Sequence, residues 1–243
     1  MGVWLDEDKV RETTARNSAT SYGLSLVAGL PLAEPLCDRV QAIQDDLEGL
    51  LPGRFVWYET PQLHVTLAAP LRGRYRDAPP LEVSELPADL PGFIADVATI
   101  CSRAAPFQLA LGGVHLADSG MVLANEDTLA QRLAACLAHY PRFDAPKHQT
   151  GLHVSIGYLN NAQPFASAVE RERFAAGLRE VARRNIGRML VREVWIVHYA
   201  NRTMSRIVGR VCLALGEPLT LSTQEVTRQL GLQTGPNESE AKT

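Results

Sequence analysis

The chain has 243 residues, of which 46% are hydrophobic, and it carries a formal net charge of −3 with a pI near 6.1. This composition predicts a globular protein with a large core, arranged as one bilobed domain or two small ones. The lack of a net positive charge excludes tight nonspecific binding to long nucleic acid, whereas a small anionic substrate or a single RNA end stays open.

The sequence indicates neither a targeting segment nor a membrane span. The first 20 residues mix acids with bases and contain no apolar run of signal-peptide length, and no run elsewhere approaches a membrane span. Cys37, Cys101, Cys136 and Cys212 are far apart and form no CxxC motif. We therefore expect a cytoplasmic protein with reduced thiols, no cofactor and no membrane partner.

The N-terminal half begins with a polar arm, 1–20, and continues with a predicted strand at 22–30. A helix is predicted over 33–51, because aliphatic residues recur there at spacings of three and four and Pro35 suits its first turn. The elements predicted next are strands at 54–59 and 62–71 and a long proline-rich loop at 72–92.

The C-terminal half alternates helices with short strands. Helices are predicted near 93–105, 126–140 and 168–185, and strands at 107–124, 151–159, 192–200 and 206–215. Because hairpin-length connections predominate among the strands, we predict an α+β fold with two mainly antiparallel sheets and flanking helices. This bilobed domain is expected to span 21–223, with a polar, mobile tail at 224–243.

Two of the predicted strands carry the same short pattern. QLHVTLAAPL occupies 62–71 and GLHVSIGYL occupies 151–159, so His64 and Thr66 correspond to His153 and Ser155. In each segment the histidine and the hydroxyl residue alternate with aliphatic residues, which predicts a strand with one apolar face. Residues i and i+2 of a strand project from the same face about 6 to 7 Å apart, so each imidazole has a hydroxyl beside it. The chain therefore has the pattern of a duplicated lobe, each half supplying one histidine and one hydroxyl to a shared cleft.

Ordinary explanations compete with this interpretation. Two chance H-x-[ST] triplets are common enough that the triplet alone is weak, and the shared flanking residues are what make the pair significant. A zinc site requires a third ligand, and neither His115 nor His148 completes a recognisable set, so we expect no metal. We interpret His115, His139 and His198 as structural or surface residues.

The two motifs, 89 residues apart on strands, resemble those of the 2H phosphoesterase superfamily, which includes LigT-like RNA 2′,3′-cyclic phosphodiesterases and 2′-5′ RNA ligases. The resemblance covers roughly residues 20 to 215. It implies two lobes related by a pseudo-twofold axis around a central groove. It also implies that His64 and His153 are the acid–base pair and that Thr66 and Ser155 bind the phosphate. The resemblance favours His153 as base and His64 as acid, but the symmetry of the motifs leaves both assignments open. Where many members of the family carry a basic residue after the second motif, this chain has GYLNN.

The chemistry agrees with these residue types. Opening a cyclic phosphodiester needs a base to deprotonate water and an acid to protonate the departing sugar oxygen, and two imidazoles can supply both. We therefore expect a metal-independent monomeric enzyme that hydrolyses a 2′,3′-cyclic phosphate or 2′-linked phosphodiester of a nucleotide or RNA end. An RNA 2′,3′-cyclic end, a 2′-5′ oligonucleotide and a small cyclic nucleotide stay open as substrates. The alternatives are a nucleotide-binding module without turnover and a metal hydrolase.

Several residues near the motifs are candidates for substrate binding. Arg72 begins a short basic run with Arg74 and Arg76, which suits either a solvated loop or phosphate capture. Aromatic residues in the predicted strands can stack a base or belong to the core; they are Tyr22, Trp57, Tyr58, Tyr158, Trp195 and Tyr199. By alternation Tyr158 points away from His153 unless its strand bulges.

Overall fold

A computed structural model describes residues 21–74, 89–116, 119–124, 128–140, 152–159, 167–201 and 203–232. The strands of these residues are β1 (Ser21–Ala28), β2 (Phe55–Trp57), β3 (Val65–Arg74), β4 (Phe107–Leu116), β5 (Ser119–Ala124), β6 (His153–Leu159), β7 (Asn185–Val191), β8 (Glu193–Tyr199) and β9 (Ile207–Ala214). The α-helices are α1 (Glu34–Leu50), α2 (Leu90–Ser102), α3 (Thr128–Ala138), α4 (Ala168–Val181) and α5 (Thr223–Gln229). A short 3-10 helix spans Thr60–Gln62.

The pairings among the described strands are antiparallel, and the strands follow the order β7-β4-β5-β6-β3-β1-β8-β9. Two four-stranded halves meet at the centre, where β3 pairs with β6 through Val65 opposite Val154. The short β2 pairs with the far end of β6. This arrangement confirms the predicted α+β fold, and it joins the two expected sheets through the two motif strands.

The helices cover one face of the sheet. Residues of the central strands, such as Leu24, Leu67 and Ile196, point to this face and join the helices in one core cluster. Val40, Ile43 and Leu47 of α1 are fully buried in it, at the spacing that predicts the helix. Because the helices take the apolar face, the motif residues between the buried positions lie on the other, open face.

The C-terminal boundary predicted at residue 223 is wrong. Residues 223–229 form α5, whose Ser222 side chain accepts the backbone N–H of Glu225 while the Glu225 carboxylate accepts the N–H of Ser222. Val226 and Leu230 are fully buried in the core, and Leu232 is buried as well. Three apolar residues among polar ones form too short a pattern to identify a helix from sequence. The remainder of the expected tail, 233–243, and the N-terminal arm, 1–20, lie outside the described residues.

Other element limits also differ from the predictions. Strand β7 is absent from the predicted elements, because the helix pattern before it extends to residue 185, whereas α4 ends at Val181. Strand β3 continues to Arg74, so the first residues assigned to the long loop are strand. Residues 75–88 of that loop lie outside the described residues.

Candidate active site

The two motif strands are neighbours at the centre of the sheet. Val65 lies opposite Val154 in an antiparallel register. One residue to either side, this register sets Thr66 across from His153 and His64 across from Ser155. Each histidine therefore has its own motif's hydroxyl along the strand and the other motif's hydroxyl across the strands.

These four side chains, the motif quartet, occupy the face opposite the helices. Val65 and Val154 are fully buried in the core cluster, so the residues that flank them point the other way. Thr66, His153 and Ser155 are half-buried. His64, which directly precedes β3, is only 6% exposed.

The backbone fixes the orientation of His64. The 3-10 helix before it has a capping box, in which the Gln62 side chain accepts the backbone N–H of Glu59 over 2.9 Å. The Gln62 carbonyl at the end of this turn lies 2.6 Å from Nδ1 of His64. A carbonyl can only accept, so Nδ1 carries the proton and Nε2 is the nitrogen left for chemistry.

The electrostatics of His64 favour its neutral form. Burial lowers the pKa of His64 from its ordinary value of 6.5 to about 4, the hydrogen bond to the Gln62 carbonyl opposes that shift, and the charge of His153 adds to it. The influence of His153 on His64 indicates that the two imidazoles share one electrostatic site. In the free protein near neutral pH, Nε2 of His64 therefore has a lone pair.

A buried glutamine on α1 forms hydrogen bonds to the backbone next to both motifs, on the helix side of the sheet. Gln44 is 1% exposed, and its Nε2 donates to the carbonyls of Tyr58 and Ile156 over 2.8 and 2.7 Å. The backbone N–H of Tyr58 also donates to the Ile156 carbonyl over 3.0 Å. Since Ile156 follows Ser155 and Tyr58 leads into the turn before His64, these bonds fix the two motifs relative to one another.

Strand β6 has a bulge directly after the second motif. The consecutive residues Gly120 and Met121 of β5 pair with Gly157 and Ser155 of β6, so Ile156 is an extra residue. Neighbouring residues of β5 point to opposite faces, and paired residues share a face. Gly157 therefore faces the helices although Ser155 faces the open side.

The bulge brings Tyr158 to the face of the motif quartet. Tyr158 pairs with Ser119, two residues before Met121 on β5, so it shares the open face with Ser155. Its ring packs edge to face on the Tyr58 ring, with the centroids 6.3 Å apart, and it is half-buried. The alternation in the sequence predicts the opposite face for Tyr158 because it cannot reveal the extra residue.

Trp57 lies behind the site, on the helix side of the sheet, which agrees with the core role that the sequence also leaves open for it. It pairs with Gly157 on the helix side, and a Cβ on Gly157 would lie 2.6 Å from its ring. Stacking on Phe55, with ring centroids 4.5 Å apart, and donation from Nε1 to a Glu48 carboxylate oxygen of α1 over 2.8 Å hold the indole there. The indole thus holds β2 on the bulged end of β6.

A second bulge changes the course of the first motif strand. Val27 pairs with Thr66 and Leu26 pairs with Ala68, so β3 has one residue more than β1 there. Ala68 consequently turns into the core cluster at 4% exposure instead of following Thr66 on the open face. Simple strand alternation would place Ala68 beside Thr66 on the open face, and the bulge places it in the core instead.

Comparison with known proteins agrees with this geometry. The family model of the 2′-5′ RNA ligase superfamily matches residues 32–203, which include both motifs. The chain belongs to the 2′-5′ RNA ligase superfamily. Membership of this superfamily of 2H phosphoesterases supports phosphoesterase-type activity. No curated protein matches the chain in sequence.

Solved structures share the fold of this superfamily member at low identity. TT0787 of Thermus thermophilus is 15% identical with a TM-score of 0.51, over 78% of this chain and 97% of that chain. The conserved protein of unknown function ATU0111 from Agrobacterium tumefaciens str. C58 is also 15% identical with a TM-score of 0.51, over 82% of this chain and 87% of that chain. At this identity the likeness is one of fold.

The remaining predicted binding residues of this 2H phosphoesterase lie at the far end of β3. Arg72 pairs with Gly23 of β1, whereas Thr66 pairs with Val27. Gly23 and Val27 are four positions apart on β1, so the two pairs are about 13 Å apart along the strand. Tyr22 pairs with Gly73 at the same end. The side chains of Arg72 and Tyr22 lie outside the described part of the chain, so their predicted contacts with substrate stay predictions.

The remaining histidines and cysteines are not members of the motif quartet, although His115 pairs with Met121, which pairs with Ser155, and so lies in the row of Ser155 two strands away. His115 and His139 are exposed, and His198 is fully buried with Nδ1 donating to the Leu230 carbonyl over 2.9 Å. The four cysteines are free thiols, of which three are buried and Cys212 is half-buried. Within the described ranges, no three His, Cys, Asp or Glu side chains are grouped to hold a metal ion, and no helix is long and apolar enough to cross a membrane.

Proposed function

We propose that the protein is a metal-independent phosphodiesterase that hydrolyses a 2′,3′-cyclic phosphate or a 2′-linked phosphodiester in a nucleotide or RNA end. The observation that carries this proposal is the cross-strand quartet His64, Thr66, His153 and Ser155 on the open face of the sheet. It combines two imidazoles, which can serve as proton acceptor and proton donor, with two hydroxyl donors.

The proposed reaction is an in-line displacement at phosphorus. One imidazole takes a proton from water while the water oxygen bonds to phosphorus. The phosphorus bond to the sugar oxygen breaks, and the other imidazole gives its proton to that oxygen. Thr66 and Ser155 donate to the nonbridging oxygens, where charge increases in the transition state.

His64 is proposed as the base, which is the reverse of the assignment that the family resemblance favours. Its Nδ1–H is committed to the Gln62 carbonyl, and its low pKa keeps Nε2 unprotonated in the free protein. His153 is then the acid. Tyr158 is proposed to contact the base of the nucleoside whose phosphate Ser155 holds, because the bulge sets both on one face.

The test is turnover in excess EDTA of three substrates: a 2′,3′-cyclic mononucleotide, a cyclic dinucleotide and 2′-5′ oligoadenylate. We expect hydrolysis of at least one of them by the wild type. His64→Ala and His153→Ala should each reduce turnover at least about 100-fold, and Thr66→Ala and Ser155→Ala about 10- to 1,000-fold, mainly in kcat. His139→Ala, an exposed histidine that directly follows α3 on the helix side of the sheet, is the control and should leave turnover unchanged.

Binding of a nucleotide without turnover of any substrate would indicate the binding-module alternative. Activity that EDTA removes and zinc or manganese restores would replace the proposed mechanism with a metal hydrolase.

A further inference from the structure

Another aromatic residue, Trp195, lies on the open face, and β3 and β1 separate it from the second motif. Trp195 of β8 donates from Nε1 to a Glu193 carboxylate oxygen over 2.9 Å, which sets the orientation of the indole. The guanidinium carbon of Arg210, on β9, lies 4.8 Å from the centroid of the Trp195 ring. The guanidinium thus forms a cation–π contact with the indole.

The register of the sheet connects this group with the hydroxyl of the first motif. Thr66 pairs with Val27, and Val27 pairs with Trp195, so the three residues form one row across β3, β1 and β8 and share a face. Two interstrand spacings separate Thr66 from Trp195, about 10 Å. Val27 is fully buried in a small apolar cluster with Leu30, and Trp195 borders that cluster. Apolar side chains of this cluster therefore cover the row between Thr66 and Trp195.

The chemistry of this group suits a nucleobase better than a second phosphate. Glu193 and Arg210 bring one charge of each sign to the indole, so the group has no net positive charge to attract an anion. Arg210 is exposed, and bases stack on guanidinium planes as well as on aromatic rings. The Glu193 carboxylate is an acceptor for an exocyclic amine of a base.

We propose that Trp195 and Arg210 form a subsite for a second nucleobase, that of the nucleotide adjoining the reacting phosphate. This inference rests on the proposed function and specifies its substrate class. A phosphate held at Thr66 and Ser155 would lie between two aromatic residues. Tyr158 is on one side, farther along β6, and Trp195 is on the other side, about 10 Å from Thr66. The enzyme consequently prefers an oligonucleotide end over a mononucleotide.

The test compares kcat/KM for a dinucleotide that ends in a 2′,3′-cyclic phosphate with kcat/KM for the matching 2′,3′-cyclic mononucleotide. We expect the wild type to favour the dinucleotide about 10-fold or more, the size of one base-stacking contact. In Trp195→Ala and in Arg210→Ala this ratio should fall toward one, and Trp195→Phe should keep part of it. Arg188→Ala, an exposed arginine of β7 at the other end of the sheet, is the matched control and should keep the ratio.

Equal kcat/KM values for the two substrates in the wild type would overturn the subsite. So would a ratio of the two kcat/KM values that stays unchanged in both alanine variants. A binding measurement separates its failure from failure of the proposed function. If the wild type hydrolyses neither substrate, hydrolysis of a 2′,3′-cyclic phosphate is excluded from the proposed function, and tryptophan fluorescence still decides the subsite. Saturable quenching by the dinucleotide that is lost in Trp195→Phe and weakened in Arg210→Ala supports the subsite, and absence of quenching in the wild type excludes it.

Discussion

His64 and His153 carry equivalent sequence patterns, yet their surroundings distinguish them. The 3-10 helix before β3 directs the Gln62 carbonyl to Nδ1 of His64, and His64 is only 6% exposed. Burial disfavours the charged imidazolium and the charge of His153 adds to this effect, which is why the pKa of His64 falls to about 4. The environment thus selects a proton acceptor from two histidines that sequence cannot tell apart.

This environment predicts the pH dependence of catalysis. A base must be unprotonated, so kcat/KM for a cyclic phosphate should stay high down to about pH 5 and fall as pH decreases through about 4, where His64 gains its proton. A second limb at higher pH should report deprotonation of the acid. The measurement is kcat/KM from about pH 3.5 to 9, which reports the pKa values of the free enzyme. A lower limb at about pH 6 or above would contradict His64, with its pKa of about 4, as the base.

Leaving-group dependence tests the same assignment independently. A nitrophenyl phosphodiester has a good leaving group that needs little acid assistance, so it should restore turnover in His153→Ala and not in His64→Ala. The measurement is kcat of both variants on this substrate relative to the cyclic phosphate. Restoration in His64→Ala alone would reverse the two roles. Equal restoration of turnover in both variants would contradict separate acid and base roles for the two histidines.

At the scale of elements, α1 determines how the two motif strands meet. The chain leaves β6 at the end of β2, passes through the 3-10 helix and returns to β6 at Val65, so two strands share one edge of β6. The carbonyls of Tyr58 and Ile156 at this break both accept from Gln44. Without a donor there, buried carbonyl groups would lose hydrogen bonds at the point where the site is assembled.

We therefore predict that Gln44→Met lowers the free energy of unfolding by about 1 to 3 kcal/mol, because the methionine side chain has a similar volume but cannot donate a hydrogen bond. It should also lower kcat, since the two hydroxyls and two imidazoles lose their fixed spacing. Urea unfolding and turnover of the same samples measure both effects. Gln41→Met, one turn earlier on the exposed side of α1, should change the free energy of unfolding by no more than about 0.5 kcal/mol. Equal effects of the two substitutions would contradict the proposed role of Gln44.

At the scale of the whole molecule, the C-terminal helix belongs to the core of the domain. Gly209 of β9 allows the end of α5 to approach the sheet, because a Cβ there would collide with the backbone of Gln229 and Leu230. Leu230 then enters the core, and its carbonyl accepts from the buried His198. The segment expected to be a tail contributes apolar burial to the half of the sheet that carries the first motif.

Leu230→Ala should accordingly lower the free energy of unfolding by about 2 to 5 kcal/mol, the usual cost of truncating a buried leucine. Gln229→Ala, an exposed neighbour, is the control and should change it by no more than about 0.5 kcal/mol. Urea unfolding followed by circular dichroism measures both. A loss below about 1 kcal/mol in Leu230→Ala would show that the segment is not part of the cooperative core.

The sequence by itself determined the helices with strong apolar periodicity, the central strands, the antiparallel α+β class and the choice of the four motif residues as candidates. It could do so because helix and strand periodicities place apolar residues on one face of each element, and the repeated pattern marks the residues that this rule leaves on the other face.

The tertiary structure decided what depends on contacts between distant segments. These are the register that brings Thr66 across from His153, the bulge that turns Ala68 inward, and the place of Gln44 behind the site. It also decided which aromatic residues share the face of the motifs. The bulge in β6 moves Tyr158 to that face and leaves Trp57 with the helices, because partner strands far away in the chain set both register and burial.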